Sequence, residues 1–333
     1  LFVIPGAILI LALASLYAAF GALPWVAAIF LGIKAAVIVV VIQALIKVSS
    51  KALKGAVPYA LAACAFIGIF VLQIPFPLLI AAAAVVGALT MNGDTTEAPT
   101  VTVTATQTAR TIALWAAIWL LPLAALWAIA PNSLLSQVGA FFSTLAIVTF
   151  GGAYAVLAYM VQEVVNGFGW LDTGQMMDAL GLAETTPGPL ILVTQFVGFL
   201  AGAQAGGWGL GLAAAIVTLW VTFAPCFLWI FAGAPYVEWI AAQPRLKGAL
   251  AGITAAVVGV IANLSLWFAL NVWFASVERI SVGPIALWWP TGALDLAAVA
   301  LSGIAAMLLI WRKTDLLVVL PILGAAGIAT LAF

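Results

Sequence analysis

Apolar runs long enough to cross a lipid bilayer follow one another through almost the whole chain, and few folds can accept them. About 20 apolar residues span the hydrocarbon core as a helix. Eleven segments meet or approach that length: Phe2–Phe20, Trp25–Ile46, Val57–Ile74, Pro77–Met91, Thr111–Ala130, Leu134–Val165, Pro187–Ala205, Trp208–Gly233, Leu246–Phe274, Ala293–Trp311 and Leu316–Phe333. Lipid offers the backbone no hydrogen bonds, so a chain of such segments folds as helices. The expectation is an all-α polytopic membrane protein with broken helices, about 11 membrane segments and no sheet. Leu134–Val165 is too long for one span and is interrupted by Gly151-Gly152, while Pro77–Met91 is short. The Thr-rich polar run from Asn92 to Gln107 is the obvious linker. It suggests a division into 1–91, a linker at 92–110, and 111–333.

Charged residues make up 6% of the chain, against about 25% in a soluble domain. The formal net charge is zero, which argues against a nucleic-acid partner. Cys64 and Cys226 lie far apart in apolar stretches without metal spacing, so neither a metal nor another cofactor is expected. Histidine, the usual proton carrier near neutral pH, is absent. Proton coupling would therefore use carboxylates, Lys34 or tyrosine. The first residue is Leu1 and no signal-peptide pattern follows, so the chain is expected to begin partway through a longer protein.

Lysine and arginine accumulate in cytoplasmic loops. With Lys47, Lys51 and Lys54 placed inside and the sides alternated, Arg110, Arg245, Lys247, Arg312 and Lys313 also fall inside. Arg279 falls outside and Lys34 falls within a span. An internal repeat appears at an offset of 220: Pro5 matches Pro225, Pro24 matches Pro244, Gly32-Ile33 matches Gly252-Ile253, and Ala35-Ala36-Val37 matches Ala255-Ala256-Val257. The matched spans run in opposite directions across the membrane, so the repeats read as inverted, a pattern of secondary transporters with a midplane site.

Glu184-Thr185-Thr186-Pro187-Gly188-Pro189 precedes an apolar segment. A helix start there offers free N–H groups and the positive end of the dipole, which suits an anion. Thr185, Thr186, Pro187, Gly188 and Pro189 are candidate binding residues, expected to form a non-helical turn facing the break at Thr149-Phe150-Gly151-Gly152. Thr194 and Gln195 follow on the first turns, able to donate either to an oxyanion or between helices. Lys34, mid-span, is a candidate anion ligand or the countercharge of a carboxylate. Glu184 reads either as a proton-coupling acid or as a first-turn acid on the helix dipole. Asp172 through Gln175 resembles a capping box opening a short amphipathic helix. Asp178 is expected on its polar face, Glu163 at an interface, and Asp295 at a helix N-terminus. The tryptophans mostly flank spans and read as interfacial anchors.

Phe150-Gly151-Gly152-Ala153-Tyr154-Ala155-Val156-Leu157, Gly169-Trp170-Leu171, Met177-Asp178-Ala179-Leu180, Glu184 to Leu190, and Gln195-Phe196-Val197-Gly198-Phe199 resemble, in order and spacing, the second domain of the chromate ion transporter family. That likeness covers about Thr111 to Asn271, and Phe2–Lys54 is similar to the later part of the family's first domain. The start of the first domain, with its own Phe-Gly-Gly and Pro-Gly-Pro signatures, is missing. The resemblance implies chromate export driven by the proton motive force, in a multi-pass protein of the cell membrane. A sulfate carrier or channel of the same architecture is the alternative. A membrane-embedded enzyme is disfavoured, with no histidine, metal cluster or nucleotide-binding glycine loop. The implied partners are a chromate- or sulfate-like oxyanion and the lipid bilayer, with a homodimer left open.

Overall fold

The computed structural model describes residues 3–91, 103–148, 153–186, 188–283 and 285–332. Its helices are α1 (Val3–Phe20), α2 (Pro24–Ala52), α3 (Ala56–Phe70), α4 (Phe76–Thr90), α5 (Ala105–Ile129), α6 (Leu134–Val148), α7 (Ala153–Val161), α8 (Thr173–Thr185), α9 (Val193–Gly233), α10 (Val237–Ala242), α11 (Pro244–Trp273), α12 (Leu296–Ala306) and α13 (Leu316–Ala329). Among the described residues, five stretches are long and apolar enough to cross a membrane, and α3, α4, α6, α12 and α13 are shorter apolar helices. The protein is an all-α polytopic membrane protein.

Local chemistry sets the boundaries. Pro24 and Pro244 open α2 and α11, where the missing N–H costs nothing. Asp295 caps α12 by accepting the Ala298 amide at 2.9 Å, as expected of a helix-start acid. α5 begins six residues before the expected Thr111, because Thr104 and Gln107 form a reciprocal capping box. α9 breaks at Gly206-Gly207, between the two spans read from the sequence. Gly207 takes a φ of 78°, which a side chain would resist.

One expectation fails. The segment before α12 forms an antiparallel hairpin, β1 (Val277–Val282) and β2 (Ile285–Pro290), pairing Arg279 with Trp288 and Ile280 with Leu287. Two short runs rich in β-branched and aromatic residues flank Gly283-Pro284, a strand–turn–strand pattern. The Ala286 amide donates to the Val71 carbonyl at 2.8 Å, tying the hairpin to the end of α3.

Packing exchanges between the two ends of the chain. α3 and α4 pack on α11, while α12 and α13 pack on α2. Glycine permits both crossings, as small residues do between membrane helices. A Cβ at Gly32 would overlap the Leu323 carbonyl, and one at Gly327 the Ala28 carbonyl. A Cβ at Gly252 would overlap the Ala83 carbonyl, and one at Gly87 the Gly248 carbonyl. Gly32 and Gly252 are the residues matched at the offset of 220. Gly87 and Gly327 are 240 apart, and the hairpin region accounts for the extra length. The interior is centred on α2, α8, the first half of α9, and α11. Ile4, Ile8, Leu121, Trp127 and Ile216 stand exposed at the periphery, on the surface a bilayer would cover.

Candidate functional site

Lys34 is ten residues past the start of α2. At 1.5 Å per residue that is about 15 Å along the axis, half of a ~30 Å hydrocarbon core. A lysine at that depth is costly unless paired or facing a polar cavity. Its Nζ lies 2.9 Å from Asp178 Oδ1, with the two side chains only 17% and 10% exposed. The Tyr17 hydroxyl, from α1, donates to Asp178 Oδ2 at 2.7 Å. Two consecutive helices, α1 and α2, and the distant α8 thus meet at one carboxylate.

The placement of Asp178 corrects the sequence reading. Residues 176–183 are all buried, so α8 has no polar face there, and the carboxylate is held by partners rather than by water. Asp172 opens α8 by accepting the Gln175 amide at 2.8 Å, and the Gln175 side chain accepts the Asp172 amide in return. One turn beyond Asp178, Gly181 faces α2: a Cβ there would come within 2.7 Å of Ile33 Cγ2. The missing side chain lets α8 lie close beside Lys34. The Tyr17 ring is fixed edge-on against Phe30 of α2, with centroids 5.3 Å apart, and tilted against Phe196 of α9 at 5.4 Å.

A cleft of about 530 Å³ opens above this cluster. The end of α1 (Tyr17, Gly21), the start of α8 (Asp172, Gln175, Asp178) and the Gly206-Gly207 break of α9 (Gln204, Trp208) surround it. Tyr17 and Asp178 belong to its wall, and Lys34 lies behind them.

The other end of α8 carries the proline-glycine turn. Glu184 sits in the last turn of α8, not in the first turn of the next helix, so it does not stabilise a helix N-terminus. Its carboxylate accepts a hydrogen bond from Tyr154 of α7. Thr185 ends α8, one residue inside the expected turn, and Thr186 adopts an extended backbone. The Thr186 hydroxyl donates to the Ala183 carbonyl at 3.1 Å. Gly188 has a φ of +136° and lies against Gly6 of α1, where a Cβ would meet Gly6 Cα at 3.7 Å. After Pro189, Leu190–Leu192 form a short 3-10 turn leading into α9, with the first amides at its start.

Thr194 is buried and donates to the Ile191 carbonyl at 2.8 Å, with Thr222 at 3.4 Å. Gln195 is buried, and its Oε1 has no hydrogen-bond partner among the described residues. Thr149, Phe150, Gly151, Gly152 and Pro187, and the side chain of Thr185, lie outside the described residues. From Asp178, which holds Lys34, to Glu184 beside the turn, α8 rises about 9 Å. Tyr17 and Asp178 are the site residues that sequence reasoning missed. An acid between Met177 and Ala179-Leu180, in so apolar a chain, was the available signal.

A polytopic helical protein with an ion pair at mid-bilayer depth, on the wall of an open cleft, has the build of a membrane transporter. The chain belongs to the chromate transporter family, which it matches over residues 1–88 and 136–329. A chromate transport protein of Pseudomonas aeruginosa is 31% identical over 337 aligned residues, covering 98% of this chain and 72% of that protein. A chromate transport protein of Cupriavidus metallidurans is 32% identical over 50% of this chain and 37% of its own length. A probable chromate transport protein of Synechococcus elongatus is 35% identical over 43% and 35%. Against these last two the match spans little more than a third of the relative. No solved structure is detectably similar to the chain.

Proposed function

We propose that the chain carries a tetrahedral oxyanion, chromate, across the cell membrane, with net efflux drawn by the proton motive force. The observation that carries this reading is Lys34, buried within the apolar helix α2 against a carboxylate beside an open cleft. Moving a dianion through hydrocarbon needs a fixed positive charge, and Lys34 supplies one. The first amides after Pro189 supply a second, neutral station for the anion at the far end of α8. Residues 1–91, as the later part of a first repeat, and 111–333, as a second, are inverted around these stations, and family membership supports the substrate.

Glu184 couples the proton. A dianion and an ionised carboxylate repel, so the anion binds better with Glu184 protonated. In wild type, chromate affinity is expected to fall as pH rises. Glu184→Gln should bind with less pH dependence and transport poorly; identical binding profiles for the two proteins would remove Glu184 from the mechanism.

This coupling fixes the energetics. A dianion leaving with one proton exports one negative charge. An interior-negative potential favours that by about 2.3 kcal/mol per 100 mV. One unit of interior-alkaline pH gradient opposes it by only about 1.4 kcal/mol. The electrical part of the proton motive force therefore drives efflux. In proteoliposomes with imposed potassium-diffusion potentials, chromate should move toward the positive side, and reversing the potential should reverse the flux. Flux indifferent to the potential would sink the reading. Sulfate has the same shape and charge, and its competition against chromate flux ranks the two.

A further inference from the structure

Resting on that transport reading, we propose that Asp178 is a built-in competitor of the substrate: its carboxylate holds the Lys34 ammonium, and the oxyanion reaches Lys34 only by displacing it. The geometry makes the competition direct. Lys34 Nζ is 2.9 Å from one Asp178 oxygen, the distance at which it would hold an oxygen of the anion instead. Asp178 borders the cleft through which an anion would pass between Lys34 and solvent.

Tyr17 makes the exchange reversible. Its hydroxyl holds the second Asp178 oxygen at 2.7 Å, and its ring is pinned by Phe30 and Phe196. When Lys34 turns to the substrate, the carboxylate keeps that hydrogen bond and stays in place. Its return to Lys34 then expels the anion toward the cleft and blocks rebinding. By the distribution of lysine and arginine, the C-terminal end of α1 and the start of the second half of α9 lie on the external side. The cleft at those ends opens outward, so the pair works as an exit valve.

The charged and titratable groups around Asp178 are Lys34 on α2, Tyr17 on α1, and Asp172 and Glu184 on α8 itself; the α9 residues lining the cleft, Leu200, Ala203, Gln204 and Trp208, are not ionisable. A proton on Asp178 weakens its hold on Lys34 and so favours the anion. Asp178→Asn removes that proton dependence together with the competitor.

The test is equilibrium binding of chromate and of sulfate to purified wild type, Asp178→Asn, Asp178→Glu and Tyr17→Phe, each read beside proteoliposome flux. Asp178→Asn is expected to bind about tenfold tighter or more, since a site free one time in ten binds tenfold more weakly than its intrinsic affinity. Its pH slope of affinity should fall by about one proton, and its turnover should drop because release slows. Asp178→Glu keeps the competitor and should return both toward wild type. Tyr17→Phe, which keeps the ion pair, should tighten binding less than Asp178→Asn. If Asp178→Asn is folded and binds as weakly as wild type or worse, the competitor role is overturned. If it does not fold, Tyr17→Phe decides: unchanged affinity and turnover overturn the proposal, and tighter binding with slower turnover supports it. Wild type that binds neither oxyanion overturns the transport reading itself, an outcome distinct from the others.

Discussion

Lys34→Met is expected to abolish chromate transport and, by itself, to lower stability by about 3–5 kcal/mol, the cost of leaving one member of a buried ion pair without its partner. Met keeps most of the volume, so the loss reports charge rather than packing. Asp178 would retain the Tyr17 hydrogen bond but lose the ammonium 2.9 Å away. Two losses, one of function and one of folding, would then coincide, and a second variant separates them. Lys34→Met combined with Asp178→Asn leaves no unpaired charge. It should regain most of the stability, because replacing both members of a buried pair is often neutral, yet remain inactive. Thermal unfolding in detergent and flux in proteoliposomes read the two quantities separately. A double variant that transports chromate at wild-type rates would make Lys34 a structural residue.

Gly32→Ala and Gly252→Ala are each expected to destabilise the protein by about 3 kcal/mol or more, at the upper end of overpacking costs. One methyl at Gly32 runs into the Leu323 carbonyl of α13, and one at Gly252 into the Ala83 carbonyl of α4. Backbone cannot swing aside as a side-chain tip can, so whole helices have to separate. Gly303 of α12 is the control, because a Cβ there meets nothing within 4 Å. Gly303→Ala should be neutral or slightly stabilising, since alanine is the better helix former by about 1 kcal/mol. Unfolding midpoints of the three variants in one detergent provide the comparison. Equal midpoints for Gly32→Ala and wild type would mean that the α2–α13 crossing is looser than described.

Hydropathy made most of the helices legible. Pro24 and Pro244 marked helix starts, Asp295 and Asp172 marked caps, and Gly206-Gly207 separated two spans. These signals are local: each residue acts on backbone within one turn of itself. Asp178 was misplaced because its partners are not local. Lys34 and Tyr17 lie on other helices, 144 and 161 residues away. Periodicity along α8 marked an acid among Met176, Met177 and Leu180 as its outer face. In a membrane protein a second helix can be that outside. One of the two readings of Glu184, a first-turn acid, put it on the wrong helix for a related reason. The proline-glycine turn was visible, but not that α8 runs up to its edge. The hairpin was overlooked because hydropathy reads only spans, and residues 275–292 fell between two of them as a connection.

The glycine crossings decide which parts of the molecule are able to move as pieces. Backbones in contact leave no compliant layer of side chains between them, so α2 is locked to α13, and α11 to α4. Each locked pair joins a helix from the first third of the chain to one from the last third. Cutting the sequence at its linker therefore does not cut the machine at its joints. α12 and α13 pack on α2, α3 and α4 on α11, and α2 and α11 pack on each other, so the two sets form one continuous frame. Lys34 rides on that frame. Asp178 rides on α8, so relative displacement of α8 and α2 stretches the ion pair directly. Gly181 is where α8 comes close to Ile33, the neighbour of Lys34 on α2.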